Sequence, residues 1–351
     1  MPSPLNRILL LVLLLGFFIS NCSEDTELKP EVTGAFKEGV FIANEGVFRW
    51  NNASLSFYNT SNDSLRREVF QSTTGKALGD VAQSIRLFRD SLLFIVVNNS
   101  EKIEVMNTHT GQAIATIPGM QSPRYTAQVN DSTIWVTDLY ANHLTSINLN
   151  SLTNSGQVET GKPTEAIVRY QNKVFVSNWS GDSTVQVIDI ENKTVTHTLQ
   201  VSSEPNSMVL DAKNQLWVLC AGGYNPAEPK TPALYRIDPQ QMQIQQTLTF
   251  QQEKAYPEKL VANKTGNRLY YLNNDVFAMS INDRKLPEQP HIQAQGRVFY
   301  GLYIHPVTGR IWVSDAKDYV QQGTVFIYTA EAARHGQFQA GIIPSAFCAV
   351  R

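Results

Sequence analysis

The sequence predicts an all-β protein, a seven-bladed β-propeller closed into a single ring. A run of apolar and aromatic residues, usually followed by Asn or Asp, recurs seven times at intervals of 40 to 53 residues. Each interval has room for four β-type segments separated by turn residues, and no long amphipathic helical pattern follows the N-terminal leader. A period of about 40 residues made only of strands is typical of a propeller blade. The seven copies are VFIAN from Val40, LFIVVNN from Leu93, IWVTD from Ile134, VFVSN from Val174, LWVLC from Leu216, LYYLNN from Leu269 and IWVSD from Ile311.

The first 21 residues predict export. Arg7 precedes an apolar run from Ile8 to Ile19, which is shorter than the roughly 20 residues of a membrane span but suits a signal-peptide core. The run leads into ISNCSEDTE, which resembles the lipobox of bacterial lipoproteins, although Asn21 departs from the small residue usual before the cysteine. The resemblance implies that residues 1–21 are a lipoprotein signal peptide and that Cys22 is lipidated. The alternative is an ordinary secretory leader with an incidental cysteine.

Residues 22–37 read as a flexible acidic tether, since they are polar and contain proline. The stretch from Ser23 to Glu27 is similar to the acidic export signal that surface lipoproteins of Bacteroidota carry after the lipid-bearing cysteine. This similarity implies a lipid-anchored protein of the outer membrane, exposed at the cell surface. A plain solvated linker on a lipoprotein that faces the periplasm is the alternative.

The propeller is assigned to residues 38–351, and the two ends of this segment are complementary: one lacks a first strand and the other supplies one. The first copy begins directly with its second strand, GVFIANEG from Gly39 to Gly46. The C-terminal IPSAFCAVR, from Ile343, looks like a first strand without a partner. If the two pair, the ring closes with strands from both termini in one blade, and a pair of open sheet edges is removed.

The remaining sequence favours a binding protein over an enzyme. The formal net charge is −2, and no basic patch interleaved with aromatic residues is present, which argues against nucleic acid as a partner. No nucleophile elbow, phosphate-binding loop, dinucleotide fingerprint or zinc motif occurs, and the six histidines are isolated. Cys220 and Cys348 fall in different blades, so we expect buried free thiols. The sequence therefore predicts no catalytic residues, no metal site and no cofactor.

The loops between second and third strands carry aromatic and amide side chains, and a propeller gathers these loops on one face together with the crossovers between blades. Aromatic rings provide contact area at low entropic cost, and polar groups between them fix the orientation of a ligand. Packing of blade against blade is the alternative role for each ring. The candidate ligand-binding residues are Trp50, Arg124, Tyr125, Tyr140, Trp179 and Tyr224.

The strings IWVTD, VFVSN and IWVSD resemble the Tyr-Val-Thr-Asn (YVTN) repeats of YncE-like seven-bladed propellers. VFIANEGVFRWNNASLSFYN, LGDVAQSI, VVNNSEKIEV and SPRYTAQV resemble Bacteroidota surface lipoproteins that include vitamin-B12-capturing propellers. The resemblance covers residues 38–351. It implies a surface protein that captures a small nutrient, a corrinoid such as vitamin B12 (cobalamin), and passes it to a TonB-dependent outer-membrane transporter.

Two other functions stay open at this stage. Related propellers include lactonases and quinoproteins, and a propeller lactonase usually needs a metal held by Glu, Asn and Asp. Glu45, Asn178 and Asp315 could mimic such a set, although they end strands where the repeat itself places Asn or Asp. A surface adhesion or scaffold protein without a small ligand is the third possibility.

The lipobox assignment predicts that Cys22→Ala releases the protein from membranes without changing its fold, because only the cysteine thiol can carry the diacylglycerol thioether. Fractionation and labelling with radioactive palmitate measure this. Ser23→Ala is the matched control and should stay lipidated. Equal palmitate incorporation into the Cys22→Ala variant would refute the assignment.

Overall fold

The computed structural model describes residues 36–180, 182–223, 231–252 and 254–350. Seven antiparallel sheets stand around one axis, and each copy of the repeated sequence forms the second strand of a sheet. The predicted seven-bladed β-propeller is therefore confirmed. We number the blades from the N-terminus. The inner strand of each blade is the edge strand that pairs with the repeated second strand, and in blade one the C-terminal segment supplies it; the inner strands contact one another around the ring.

Blades one to three contain twelve of the strands. Blade one is built from β1 (Gly39–Asn44), β2 (Ser54–Asn59), β3 (Ser64–Arg66) and the C-terminal β27 (Pro344–Val350). Blade two has β4 (Ala82–Phe88), β5 (Leu92–Val97), β6 (Lys102–Asn107) and β7 (Ala113–Pro118). Blade three has β8 (Pro123–Asn130), β9 (Thr133–Asp138) and β10 (His143–Asn148), with β11 (Thr153–Glu159) outermost.

Blades four to seven follow in chain order. Blade four has β12 (Ile167–Tyr170), β13 (Lys173–Asn178), β14 (Thr184–Asp189) and β15 (Thr194–Gln200). Blade five has β16 (Pro205–Leu210), β17 (Leu216–Cys220), β18 (Ala233–Asp238) and β19 (Gln243–Thr249). Blade six has β20 (Glu258–Ala262), β21 (Arg268–Asn273) and β22 (Asp275–Ser280). Blade seven has β23 (Phe299–Ile304), β24 (Ile311–Asp315), β25 (Gln322–Tyr328) and β26 (Arg334–Ile342).

The aromatic residue of each repeat anchors the core between blades. A second strand has neighbours on both edges and packs on both faces, which explains why it is almost uniformly apolar. Each of these rings is at most 2 % exposed. Burying a side chain of this size stabilises the fold by about 1.5–3 kcal/mol. The seven rings are Phe41, Phe94, Trp135, Phe175, Trp217, Tyr270 and Trp312.

The ring closes as the sequence predicts. Strand β27 pairs antiparallel with β1, in a register that runs from Gly39 opposite Val350 to Asn44 opposite Pro344. On its other side β27 approaches the inner strand of blade seven so closely that only glycine fits at position 301. A Cβ there would lie 2.9 Å from the carbonyl oxygen of Pro344. Both termini of the propeller are therefore held in one blade.

Two features depart from the regular pattern. Blade six has three strands rather than four, because the segment after β22 carries Pro287 and Pro290, which lack the N–H that a strand ladder requires. A short helix, α1 (Val69–Thr74), joins blade one to blade two and buries Val69 and Phe70 in the core between them.

Three observations bear on other expectations from the sequence. Cys220 and Cys348 are free thiols, as predicted, but only Cys220 is buried, and Cys348 is partly exposed. Phe36 lies within the predicted tether, yet its ring centroid is 5.1 Å from that of Phe41 and 4.9 Å from that of Phe57. Within the described ranges, no helix has the length and apolar character needed to span a membrane. Cys22 lies outside the described residues.

Ring closure predicts that deletion of residues 343–351 yields aggregated or strongly destabilised protein, because it exposes the inner edge of β1 and removes the buried Phe347. Phe347→Ala alone should lower the free energy of unfolding by about 3–5 kcal/mol. The full deletion should lower it by more, and removal of Arg351 alone should have no effect. Urea unfolding measures the stability of the parent protein and of the three variants. If the protein lacking residues 343–351 were as stable as the parent, this mode of closure would be wrong.

Candidate functional site

Most inner strands begin with a register irregularity, and these irregularities point side chains towards the axis. The pairing of β4, β8, β16, β20, β23 and β27 with their second strands shifts near the first residue of the inner strand. A β-bulge leaves an extra residue unpaired, bends the strand and changes the direction of its side chains. The bulge residues that line the central cavity include Gln83, Arg124, Asn206, Lys259, Tyr300 and Ser345.

The cavity lies on the propeller axis, since all seven inner strands contribute to its wall. It opens on the face where those strands begin, and its volume of about 630 Å³ falls within the range usual for small-molecule sites. Loop residues Phe48, Trp179 and Tyr256 form part of its mouth. Charged side chains lie in the wall below them: Glu45, Arg86, Arg124, Glu165, Glu258 and Lys259.

Arg124 and Glu165 form a buried ion pair in this wall. The Nε and Nη2 groups of Arg124 donate to the two carboxylate oxygens of Glu165, both at 2.7 Å, and Nη1 donates to Oε1 of Gln83 at 2.5 Å. Burial alone would lower the pKa of Arg124, but the charge and hydrogen bonds of Glu165 outweigh it, so the pKa is raised. All three nitrogens of this guanidinium are thus engaged within the protein.

A second charged group surrounds Tyr300. The Tyr300 hydroxyl donates to Oε2 of Glu45 at 3.0 Å, and Nζ of Lys259 lies 5.1 Å from the centroid of the Tyr300 ring. Burial raises the pKa of Glu45, and Lys259 and Tyr300 only partly offset this effect. Burial alone would lower the pKa of Lys259, but Tyr125, Glu258 and Glu45 outweigh it, and the pKa is raised. The ammonium group is therefore held in its charged form by acidic neighbours.

Strained backbone accompanies this polar wall. Val81, immediately before β4, has a φ of 60°, and Lys259 has a φ of 57°. Left-handed φ values are unfavourable for non-glycine residues, above all for a β-branched one. The surrounding structure holds Val81 in place, since its carbonyl accepts the N–H of Asn98 at 2.8 Å. Such strain persists where neighbouring structure fixes it, and it concentrates at functional sites.

The structure brings three of the six predicted ligand-binding residues into the cavity wall: Arg124, Tyr125 and Trp179. Trp50 and Tyr140 lie outside the wall, on loops between second and third strands, and are 66 % and 67 % exposed. Arg124 is engaged by Glu165 rather than free. Tyr224 lies outside the described residues.

The sequence analysis did not single out Gln83, Asn206, Glu258 or Lys259, although a positional signal was present. Proline opens or directly precedes several inner strands, and the residue after it is polar and lines the cavity. This position follows Pro123, Pro205, Pro257 and Pro344 and is occupied by Arg124, Asn206, Glu258 and Ser345. Comparing repeats position by position would have identified the polar ring.

The Asn or Asp that ends the repeated sequence has a structural role. Nδ2 of Asn178 donates to the carbonyl of Pro163 at 2.9 Å, and Oδ1 of Asp315 accepts the N–H of Val298 at 2.9 Å. Each side chain thereby holds the crossover that leads into the inner strand of its own blade. These bonds explain the Asn or Asp at the repeat position without a metal. Across the described ranges, no cluster of three or more His, Cys, Asp and Glu residues is arranged to hold a metal ion.

Residues 38–335 match the sequence profile described as "Domain of unknown function (DUF5074)". The chain belongs to this family. No curated protein is detectably similar to it in sequence.

Solved structures resemble it in fold. A quinonprotein alcohol dehydrogenase-like protein from Bacteroides thetaiotaomicron is 15 % identical with a TM-score of 0.70, over 89 % of this chain and 78 % of that one. A "putative 6-phosphogluconolactonase" from Bacteroides fragilis is 12 % identical with a TM-score of 0.65, over 90 % and 99 % of the two chains. Hydrazine synthase from Kuenenia stuttgartiensis is 11 % identical with a TM-score of 0.59, over 75 % and 88 %. At these identities the likeness concerns the fold alone.

The buried ion pair predicts an asymmetric effect on stability. Glu165→Gln leaves the Arg124 charge without its counterion and should lower the free energy of unfolding by about 3–5 kcal/mol. The double variant Arg124→Met/Glu165→Met removes both charges and should recover most of that loss. Urea unfolding at neutral pH measures both. A double variant less stable than Glu165→Gln would show that the pair stabilises the fold beyond mutual neutralisation.

Proposed function

We propose that this protein binds a small amphipathic molecule in the funnel formed by the axial cavity and its mouth. The proposal rests on a ring of polar side chains around one cavity. The β-bulges of the inner strands direct these side chains into it. A packed core would fill these positions with apolar residues, whereas a binding site needs a few placed polar groups among rings. Tyr125, Trp179 and Tyr256 supply such rings.

A corrinoid is the ligand we propose first, on the resemblance to cobalamin-capturing propellers. The cavity presents both carboxylate acceptors and cationic donors, which suits the many neutral amide groups that fringe a corrin ring. Further rings lie exposed on loops between second and third strands, with Trp50 at 66 % and Tyr140 at 67 % exposure. A ligand larger than the cavity could therefore place one end in the funnel and the rest against the rim.

The cellular role that we propose follows from the leader and the tether. Cys22 would carry the lipid, the acidic segment after it would direct the protein to the cell surface, and a TonB-dependent transporter would receive the captured nutrient. The location of the cavity supports this arrangement, because a ligand held at an open mouth can be transferred without unfolding the ring.

An enzymatic function is the second candidate, and Glu45 is the observation that favours it. Its pKa is raised by burial in the cavity wall, and a raised carboxyl pKa suits a general acid or base. Against this, Glu165 is paired with Arg124, and Asn178 and Asp315 serve the backbone of their own blades. Ligand binding needs no catalytic group besides the polar side chains and rings already described, so it is the function that the geometry supports best.

Calorimetric titration with cyanocobalamin tests the proposal. Tyr125→Ala and Trp179→Ala should each weaken binding by about 2 kcal/mol, roughly 30-fold, since binding energy concentrates in a few buried rings. Trp50→Ala and Tyr140→Ala should weaken it only if the ligand reaches the rim. Tyr170→Ala, at the opposite end of an inner strand, is the matched control. Absence of binding would refute the corrinoid, and unchanged affinity with lowered stability would assign Tyr125 and Trp179 to packing.

A further inference from the structure

One position of the inner strands carries a charged residue in a single blade and uncharged residues in the others, and the cavity is lined at this position by Arg86, Val261 and Tyr303. In every blade, one inner-strand residue pairs with the aromatic residue of the repeated second strand, so these seven residues occupy equivalent heights around the axis. Four of them are Ala or Val, and none but Arg86 is charged. The seven are Arg86, Ala127, Val168, Val209, Val261, Tyr303 and Cys348.

Arg86 has few partners for a guanidinium in this position. Its Nη1 donates to the carbonyl of Thr126 at 2.7 Å, and its guanidinium carbon lies 5.6 Å from the centroid of the Phe88 ring. Within the described ranges it forms no ion pair. The side chain is exposed, yet the surrounding protein partly desolvates it and lowers its pKa, which the nearby Cys348 offsets only in part. By contrast, Arg124 in the same cavity is engaged at all three nitrogens.

The position of Arg86 separates it from the carboxylates of the wall. Arg86 lies three residues further along β4 than Gln83, which is roughly 10 Å deeper at the usual rise of a strand. Glu165 neutralises Arg124 near the mouth, and Glu45 and Glu258 flank Lys259. The deep part of the cavity therefore contains the Arg86 cation and the Tyr303 side chain, with no carboxylate among the described lining residues at that height.

We propose that Arg86 is the anion-binding group of the funnel. This inference rests on the proposed function and narrows the ligand class: the molecule carries an anionic oxygen group, a carboxylate or a phosphate, that enters first and binds the free guanidinium donors. The Arg86 side chain lines the cavity and stays exposed there, so its free donors are open to a ligand, and the planar guanidinium matches both oxyanions in a bidentate manner. The less polar part of the ligand then lies against the rings at the mouth.

Four compounds with one aromatic ring test the proposal: phenyl phosphate, benzoate, benzyl alcohol and benzylamine. Binding to the purified protein is measured by saturation-transfer NMR and calorimetry at pH 7. At least one of the two anions should bind ten times or more tightly than the alcohol and the amine, and the comparison of the two anions distinguishes phosphate from carboxylate. Equal or tighter binding of the alcohol or the amine overturns the proposal.

Variants of Arg86 test whether this residue is the source of the preference for anions. Arg86→Gln should reduce anion affinity to the level of the alcohol, and Arg86→Lys should retain part of it. Arg169→Gln is the matched control, because Arg169 also lies in an inner strand but donates to the carbonyl of Gln171 in its own turn. An anion preference that survives Arg86→Gln overturns the assignment. If none of the four compounds binds, the anion site is refuted, whereas the proposed function is judged separately by the cyanocobalamin titration.

Discussion

The pairing of β27 with β1 is the constraint on which the rest of the molecule depends. Without it, blade one would lack its inner strand, and the seven inner strands would not converge on a single axis. The cavity has no other scaffold, since each wall residue comes from, or directly precedes, one of those strands or their connecting loops. Closure thus links stability to function: the segment that seals the ring, with Ser345, Ala346 and Phe347, also supplies part of the cavity wall.

Much of the architecture could be predicted because it is repeated. The copies at Val40, Ile134 and Ile311 share one pattern, an apolar residue, an aromatic residue and a β-branched residue before a final Asn or Asp, and seven concordant copies outweigh the ambiguity of any single strand. The missing strand of blade six could not be predicted by counting periods, since Pro287 and Pro290 act through backbone hydrogen bonds. The spacing between two copies of the repeat gives no information about backbone hydrogen bonds.

The site was harder to predict because its residues belong to strands rather than loops. The loop aromatics Trp50 and Tyr140 are indeed exposed, as loop residues usually are. Bulges, however, place Gln83 and Lys259 in the cavity wall, and a bulge leaves only a weak trace in sequence. The partners of charged residues could not be predicted either: Arg124 looks like a free cation in the sequence, yet Glu165 and Gln83, both distant in the chain, engage all three of its nitrogens.

In a repeat protein the scaffold is encoded by what the copies share, so chemical specificity has to be encoded by where they differ. At the height of Arg86 the other inner strands carry small or apolar residues such as Ala127, Val168 and Val209, which the ring tolerates because they require no partner. The Arg86 side chain stays exposed, but the surrounding protein lowers its pKa, so its charged form is less favourable in the empty protein than in bulk water. A ligand that supplies the counterion reverses this penalty. The same side chain that lowers the stability of the free propeller would then raise its affinity for an anion, in keeping with the trade-off between stability and function expected at binding sites.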